Sequence, residues 1–206
     1  PVAMYLGAAG VGHLCLVDFD CVDLSNLQRQ VIHQQNSIGS NKAQSAKAAL
    51  LALNPLINVQ TIEYKVDEWE CVITDVDVVV DCTDNFATRF AVNAACYQQK
   101  KPLVSAAAIR LEGQMSVFDH RDSHSPCYQC LYSPEASDDL TCSEAGVIAP
   151  LVGVMGSLQA LEVIKLVTGV GESLVGRLVL FDAKSHQWRE MALAKDPLCA
   201  LCSVNG

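Results

Sequence analysis

LCLVDFDCVDLSNLQRQ, residues Leu14 to Gln30, runs from an apolar strand into a pair of aspartates and then into a dense polar run. Asp18 and Asp20 close the strand. Ser25, Asn26, Leu27, Gln28 and Arg29 follow, and they combine three uncharged hydrogen-bonding side chains with one guanidinium. Carboxylates suit ribose hydroxyls, while amides and arginine suit phosphate oxygens. Open α/β sheets bind their ligands at such strand-to-loop junctions, so the stretch reads as one rim of a nucleotide site.

The rest of the chain is compatible with that reading. With 206 residues, 50% hydrophobic and 18% charged, it has the size and composition of one globular domain with a full core. A net charge of -9 disfavours nucleic acid or an anionic membrane surface as partner. An acidic chain that binds a polyphosphate must gather its few cations locally, which gives weight to each Arg and Lys near a motif. The apolar stretch from Ala145 to Leu161 is interrupted by Pro150 and Gln159 and followed by Glu162 and Lys165. It reads as a buried helix, too short for a bilayer span.

Residues 1 to 9 resemble the end of an apolar helix closed by Gly10-Val11-Gly12. The spacing from Gly7 to Gly12 is not G-x-G-x-x-G and no strand precedes it, so a helix C-cap is the better reading than a phosphate loop. In dinucleotide-type folds the acidic ribose ligand lies roughly 20 residues beyond the glycine loop. If Asp18 is that acid, the loop is expected upstream of Pro1, and residues 1–206 form a single nucleotide-binding domain without its glycine-loop segment. Lys42 to Leu53 reads as a helix ended by Asn54-Pro55, with Lys42 in its first turn. A cation is poorly placed there for the helix dipole, which points to phosphate contact or a solvated side chain. Val59 to Lys65 reads as a strand, and Val76 to Asp81 as a buried parallel strand that delivers Asp84 and Asn85 to the rim of Asp18. Mg²⁺ coordination and helix capping are equally good readings of that pair. Pro102 to Ala108 and Gly113 to Phe118 form consecutive strands around Arg110, a residue either structural or substrate-facing. A late hairpin pairs Leu178–Asp182 with Gln187–Leu193. The expected fold is α/β: a Rossmann-like mixed sheet, parallel in its first half and antiparallel in its C-terminal half.

Cys127-x-x-Cys130 and Cys199-x-x-Cys202 are two matched knuckles. Four thiolates so paired form a closed tetrahedral Zn²⁺ site, which is structural, and the grouping points to a reducing compartment, the cytoplasm. Cys142 lies outside both knuckles in a polar loop. It is an inert thiol or a nucleophile for which no neighbouring motif supplies a base.

Taken together, DFDCVDLSNLQRQ, GSNKAQSAKAAL, DCTDNFATR, PLVSAAAIRLEGQMSVF, CYQCLY, TCSEAGVIAPLVGVMGSLQALE and CALC resemble the bacterial relatives of ubiquitin-activating enzymes, which adenylate ubiquitin-fold sulfur carriers. The resemblance covers almost the whole chain. It implies that Asp18 binds the ribose of ATP, that Ser25 to Arg29 (chiefly Asn26 and Arg29) and Lys42 contact the triphosphate, and that Asp84 holds Mg²⁺ with Asn85 beside it. It also implies that the four knuckle cysteines hold Zn²⁺. Arg29, Lys42 and Asp84 would then be catalytic, joined by Cys142 if the chain takes part in sulfur relay. AAIRLEGQMSVF and SPCYQCLY resemble the molybdopterin-synthase activating branch, LFDAKSHQWREMAL in part the thiamine-pathway branch; the former is expected. Family members are homodimers that borrow an arginine from the partner's N-terminal segment, and a sulfurtransferase is a further possible partner. An NAD-type domain and a zinc-braced carrier-binding protein without activity are the readings from other classes.

Overall fold

The computed structural model describes residues 1–133 and 146–203. The first helix, α1 (Val2–Ala8), leads through Gly10, which adopts φ +84, into β1 (His13–Val17). Two 3₁₀ turns, Leu24–Asn26 and Gln35–Ser37, precede α2 (Lys42–Leu53) and β2 (Asn58–Ile62). Then come α3 (Trp69–Ile73), β3 (Val79–Asp81), α4 (Phe86–Gln98), β4 (Pro102–Ile109) and β5 (Glu112–Asp119). The short α5 (Tyr128–Leu131), the long α6 (Ala149–Thr168) and the hairpin β6 (Arg177–Asp182) and β7 (Gln187–Ala192) complete the chain.

The strands form two sheets rather than the one expected. β1 and β2 make a parallel pair, and a second sheet has the order β3-β4-β5-β6-β7. The β3–β4 pairing is parallel and every later pairing antiparallel, so the predicted change from parallel to antiparallel holds. The split follows from β1 having backbone partners only on its β2 side among the described strands. The two sheets are joined by side chains instead. Leu14 of β1 packs both against Leu50, Ile57 and Val59 beneath α2 and against the main core.

The period of two in β4 and β5 sets the layers. Val104 and Ala106, with Met115 and Val117, face α6 and α1. Leu103 and Phe118 face the other way, toward Val92, Ala95 and Cys96 of α4 and Tyr128 of α5. β4 is therefore covered on both faces, which is why PLVSAAAI is a nearly continuous apolar run. Gly113 is required by the close approach of α6: a Cβ there would lie 2.6 Å from Met155 Sδ.

By length and composition α6 could cross a membrane, yet it packs on β4, β5 and α1. Its buried face includes Gln159 and Glu162. Gln159 Nε2 donates to the Asp81 carbonyl at 2.8 Å; Glu162 Oε2 accepts from the Leu174 amide at 2.9 Å. A buried polar group is stable only when so bonded, and these bonds fix the helix on the sheet. Gly169, at φ +71, ends the helix as a left-handed C-cap.

Candidate functional site

The ends of β1 and β3 and the start of α2 converge. Asp18 follows β1 directly, its amide bonded to the Ile62 carbonyl, and its carboxylate accepts from the Asp20 amide at 3.0 Å. Burial raises its pKa above the ordinary value; the Asp20 amide and the Lys42 ammonium oppose that rise, and the Asp20 and Asp84 carboxylates add to it. Asp18 is thus within electrostatic reach of both Lys42 and Asp84.

Lys42 is not a solvated side chain. Its Nζ pairs with Asp20 Oδ2 at 2.8 Å, and its side chain is 12% exposed against 53% for Asp20. The cation is held at the rim by a carboxylate that itself faces outward. Asn41 anchors the same corner, with Nδ2 donating to the Asp18 carbonyl at 3.0 Å and the Asp20 carbonyl at 3.3 Å. Its Oδ1 caps α2 by accepting from the Gln44 amide. Sequence reasoning passed over Asn41, although an Asn immediately before a helical run is an N-cap signal.

The polar run folds on itself. Asp23 and Asn26 cap each other across the first 3₁₀ turn: Asp23 Oδ1 accepts from the Ser25 amide at 2.8 Å, and Asn26 Oδ1 from the Asp23 amide at 3.0 Å. Asn26 is buried, while Ser25 and Gln28 are exposed and Leu27 is half-buried. Arg29 Nη1 donates to the Ser25 carbonyl at 3.1 Å, so its guanidinium closes this loop. Gln28 lies in an open groove with Arg110, Leu111, Val147, Ile148 and Pro150. Arg110 occupies a left-handed position, φ +51, in the β4–β5 turn. Its backbone bonds Gly146 and Ile148, while its side chain lines the groove.

Asp84 and Asn85 follow β3. Asn85 is the N-cap of α4, its Oδ1 accepting from the Thr88 amide at 2.9 Å. The capping role weighed for this pair thus falls to Asn85, and Asp84 stays exposed. Sequence reasoning also missed the buried group beneath. Asp81 Oδ1 accepts from the Thr83 amide at 2.9 Å and the Thr83 hydroxyl at 2.7 Å. Asp81 Oδ2 accepts from Ser105 at 2.9 Å and lies 3.7 Å from Arg89 Nε.

The four knuckle thiols meet, although Cys127 and Cys199 are 72 positions apart. All four Sγ atoms lie within 4.8 Å of one another. The separations are 3.9 Å for Cys127–Cys130, 3.6 Å for Cys127–Cys199 and 3.4 Å for Cys130–Cys202. A tetrahedron of thiolates at about 2.3 Å from a central ion has edges of about 3.8 Å. The cluster can therefore hold a metal ion with little adjustment. Burial pushes the Cys127 thiol up and the Cys202 thiol up to about 12. At Cys199 burial acts the same way but is outweighed by the Cys202 and Leu201 amides, so its thiol lies below the ordinary value. Cys142 lies outside the described residues.

Residues 1–201 match the ThiF family. The chain is 48% identical over 202 residues to the molybdopterin-synthase adenylyltransferase of Escherichia coli K12, covering 97% of this chain and 81% of that protein. It is 41% identical over 211 residues to the adenylyltransferase and sulfurtransferase MOCS3 of Drosophila persimilis, of which it spans 46%. Among solved structures, Escherichia coli MccB with ATP superposes with a TM-score of 0.83 at 23% identity, over 98% of this chain and 62% of that one; at that identity the likeness concerns the fold. The match of nearly every residue, and an identity near one half over four-fifths of a curated relative, carry one conclusion: this chain belongs to the ThiF family.

Proposed function

We propose that the protein is an ATP-dependent adenylyltransferase that activates the C-terminal glycine carboxylate of a ubiquitin-fold sulfur carrier, the small subunit of molybdopterin synthase, for molybdenum cofactor biosynthesis. The observation that carries this reading is the 48% identity with a molybdopterin-synthase adenylyltransferase along almost the whole chain. The convergence of Asp18, Lys42 and Asp84 on one rim supports it.

In the proposed reaction a carboxylate oxygen of the carrier attacks the α-phosphorus of ATP. The bond from that phosphorus to the bridging oxygen breaks, and pyrophosphate leaves with the electron pair. The nucleophile is already ionised at neutral pH, so no general base is needed. The protein's contribution is in-line positioning and charge cancellation. Asp18 accepts from the ribose hydroxyls. Lys42 exchanges its Asp20 partner for phosphate oxygens, and Arg29 leaves the Ser25 carbonyl to do the same. Gln28, Ser25 and the Asn26–Leu27 backbone supply the loop that carries Arg29. Asp84, exposed beside Asp18, would hold Mg²⁺, which when bound neutralises phosphate charge. Asn85 sets the start of α4 beneath it.

The four-cysteine cluster would hold structural Zn²⁺, since an all-thiolate set with closed geometry leaves no position for substrate. A homodimer is proposed to supply an arginine to the site from the partner subunit. The acyl-adenylate would pass to a sulfurtransferase, in keeping with the relatives whose names join the two activities, and the cytoplasm is the implied compartment.

Loss of one electrostatic donor to a transition state costs about 2–4 kcal/mol. Arg29→Ala and Lys42→Ala are each expected to lower carrier-dependent ATP–pyrophosphate exchange by on the order of 30- to 1000-fold. Exchange within tenfold of wild type in both variants would remove the phosphate assignment. Incubation with ATP and each purified carrier separates the molybdopterin from the thiamine branch, because only the true partner gains the mass of an AMP group.

A further inference from the structure

Asp84 sits on a turn whose geometry is fixed from below. The end of β3 is clamped from both faces of the sheet. On the α6 face, Gln159 Nε2 reaches the Asp81 carbonyl at 2.8 Å and the Val104 carbonyl at 3.4 Å. On the α4 face lies a buried polar cluster. Arg89 is 8% exposed and Asp81 3%. Arg89 Nη2 donates to the Thr83 carbonyl and, at 3.2 Å, to the Ala106 carbonyl. Asp81 takes both the amide and the hydroxyl of Thr83, and Ser105 holds its other oxygen. Thr83 is thus bound at its amide, hydroxyl and carbonyl, and its carbonyl carbon begins the peptide bond to Asp84.

A buried arginine and aspartate are expensive to desolvate, and an apolar replacement of similar volume is often as stable. Their presence at this position has a use if the turn must be held to within a fraction of an ångström, which a ligand site requires of the residues that support it. Arg89 itself is buried. It is set from α4, and Tyr128 of the first cysteine knuckle lines the same small cavity. Tyr128 in turn bonds α4 through its amide, which donates to Asn93 Oδ1 at 2.9 Å.

We infer that Arg89, acting with Asp81 and Thr83, is a positioning residue that fixes the Thr83–Asp84 turn so that the Asp84 carboxylate meets the cation that accompanies ATP. The inference rests on the proposed role of Asp84. Four substitutions in the intact protein separate the two. Asp84→Asn removes the carboxylate itself. Thr83→Val keeps the β-branched shape and removes the hydroxyl donor, and Thr83→Ser restores it. Arg89→Lys keeps the charge but loses the planar guanidinium, whose Nη2 meets both carbonyls while Nε faces Asp81.

The readouts are the Mn²⁺ affinity of the ATP complex, followed by electron paramagnetic resonance, and the Mg²⁺ concentration at half-maximal pyrophosphate exchange. Thr83→Val and Arg89→Lys are expected to weaken Mn²⁺ binding and raise the Mg²⁺ midpoint by about fivefold or more, as loss of a supporting group around a metal ligand does, with carrier affinity unchanged. Thr83→Ser should return both to within about twofold of wild type, which a purely structural role would not require. If Asp84→Asn shifts the metal midpoint but Thr83→Val does not, the positioning role is wrong and the metal role of Asp84 stands. If Asp84→Asn leaves the midpoint unmoved, both fall. Should Arg89→Lys fail to fold, the Thr83 pair decides alone.

Discussion

Removing metal from the cysteine cluster tests the architecture at its most economical point. The cluster ties α5 to the C-terminal segment, closing a loop between Cys127 and Cys199 that spans 72 positions. No sheet hydrogen bond performs that tie, because β7 ends at Ala192 and the second knuckle lies beyond it. Among the described residues the nearby hydrogen bonds are few: Lys195 Nζ on the Ser123 carbonyl at 2.8 Å, the Tyr97 hydroxyl on the Cys202 carbonyl at 3.5 Å and the Asp196 amide on Cys130 Sγ at 3.4 Å. Treated as a cross-link on the unfolded chain, a loop of that length is worth about 4 kcal/mol. For a domain of this size each kilocalorie moves the melting temperature by roughly 2–4 °C. Chelation of zinc, or Cys202→Ala, should therefore lower Tm by on the order of 10 °C. Calorimetry before and after chelation, with elemental analysis of each sample, is the measurement. Zinc near one equivalent in the untreated protein and a Tm restored by added Zn²⁺ are expected. A sample shown to be metal-free that melts within about 2 °C of the loaded protein would refute the cross-link argument.

Two further predictions concern stability. Burial, opposed by Asp119 and reinforced by Lys195, lowers the His120 pKa from 6.5 to about 4, where the ring stacks edge-on to Tyr97 of α4. A base depressed on folding contributes stability above its unfolded pKa and loses it as pH falls through the folded one. A contribution of about 3 kcal/mol is thus expected to disappear between pH 6.5 and pH 4, and His120→Phe should flatten that limb of the urea midpoint plotted against pH; an unchanged limb would show that other groups set it. Gly113→Ala drives a methyl to 2.6 Å from Met155 Sδ and 3.2 Å from Leu151 Cδ1, an overpacking expected to cost about 1–3 kcal/mol. The double variant with Met155→Ala should not be additive; strict additivity in urea titrations would place the strain elsewhere.

Much of the fold was legible because its signals are local. The end of α2 follows from Asn54-Pro55, β4 from a nearly continuous apolar run, and the β6–β7 hairpin from alternation. What could not be read was how β1 and β3 relate, since strand pairing across a sheet is a non-local property. Two four-residue knuckles were enough to foresee the cysteine cluster, because metal ligand spacing is itself a local code. The Asp81–Arg89–Ser105 group was missed for the opposite reason. Asp81 reads as the end of a strand, Arg89 as a helix surface residue and Ser105 as a polar break in an apolar strand, and only packing α4 onto β3 and β4 makes them one cluster. Arg29 is expected at the phosphates, and in this structure its Nη1 donates to the Ser25 carbonyl of its own loop.

The start of α2 sharpens what recognition of a phosphate at this rim must consist of. A helix N-terminus ordinarily offers free amides to an anion, and Lys42 in the first turn would then be an addition to them. Here two of those donors are already committed. The Lys42 amide bonds the Asp20 carbonyl at 2.8 Å and the Gln44 amide the Asn41 side chain at 3.1 Å. Much of the helix end thus holds the Asp18–Asp20 corner, and those two amides cannot also cradle a phosphate without releasing it. More of the positive charge must then come from side chains, and in a chain of net charge -9 these are few. The Lys42–Asp20 pair is partly open to solvent, and such pairs are worth only about 0–1 kcal/mol. That makes it a cheap way to hold an ammonium against the dipole until a stronger anion arrives. On this view Asp20 keeps Lys42 placed, Asn41 keeps Asp20 placed, and the specificity of the corner lies in their order along the chain.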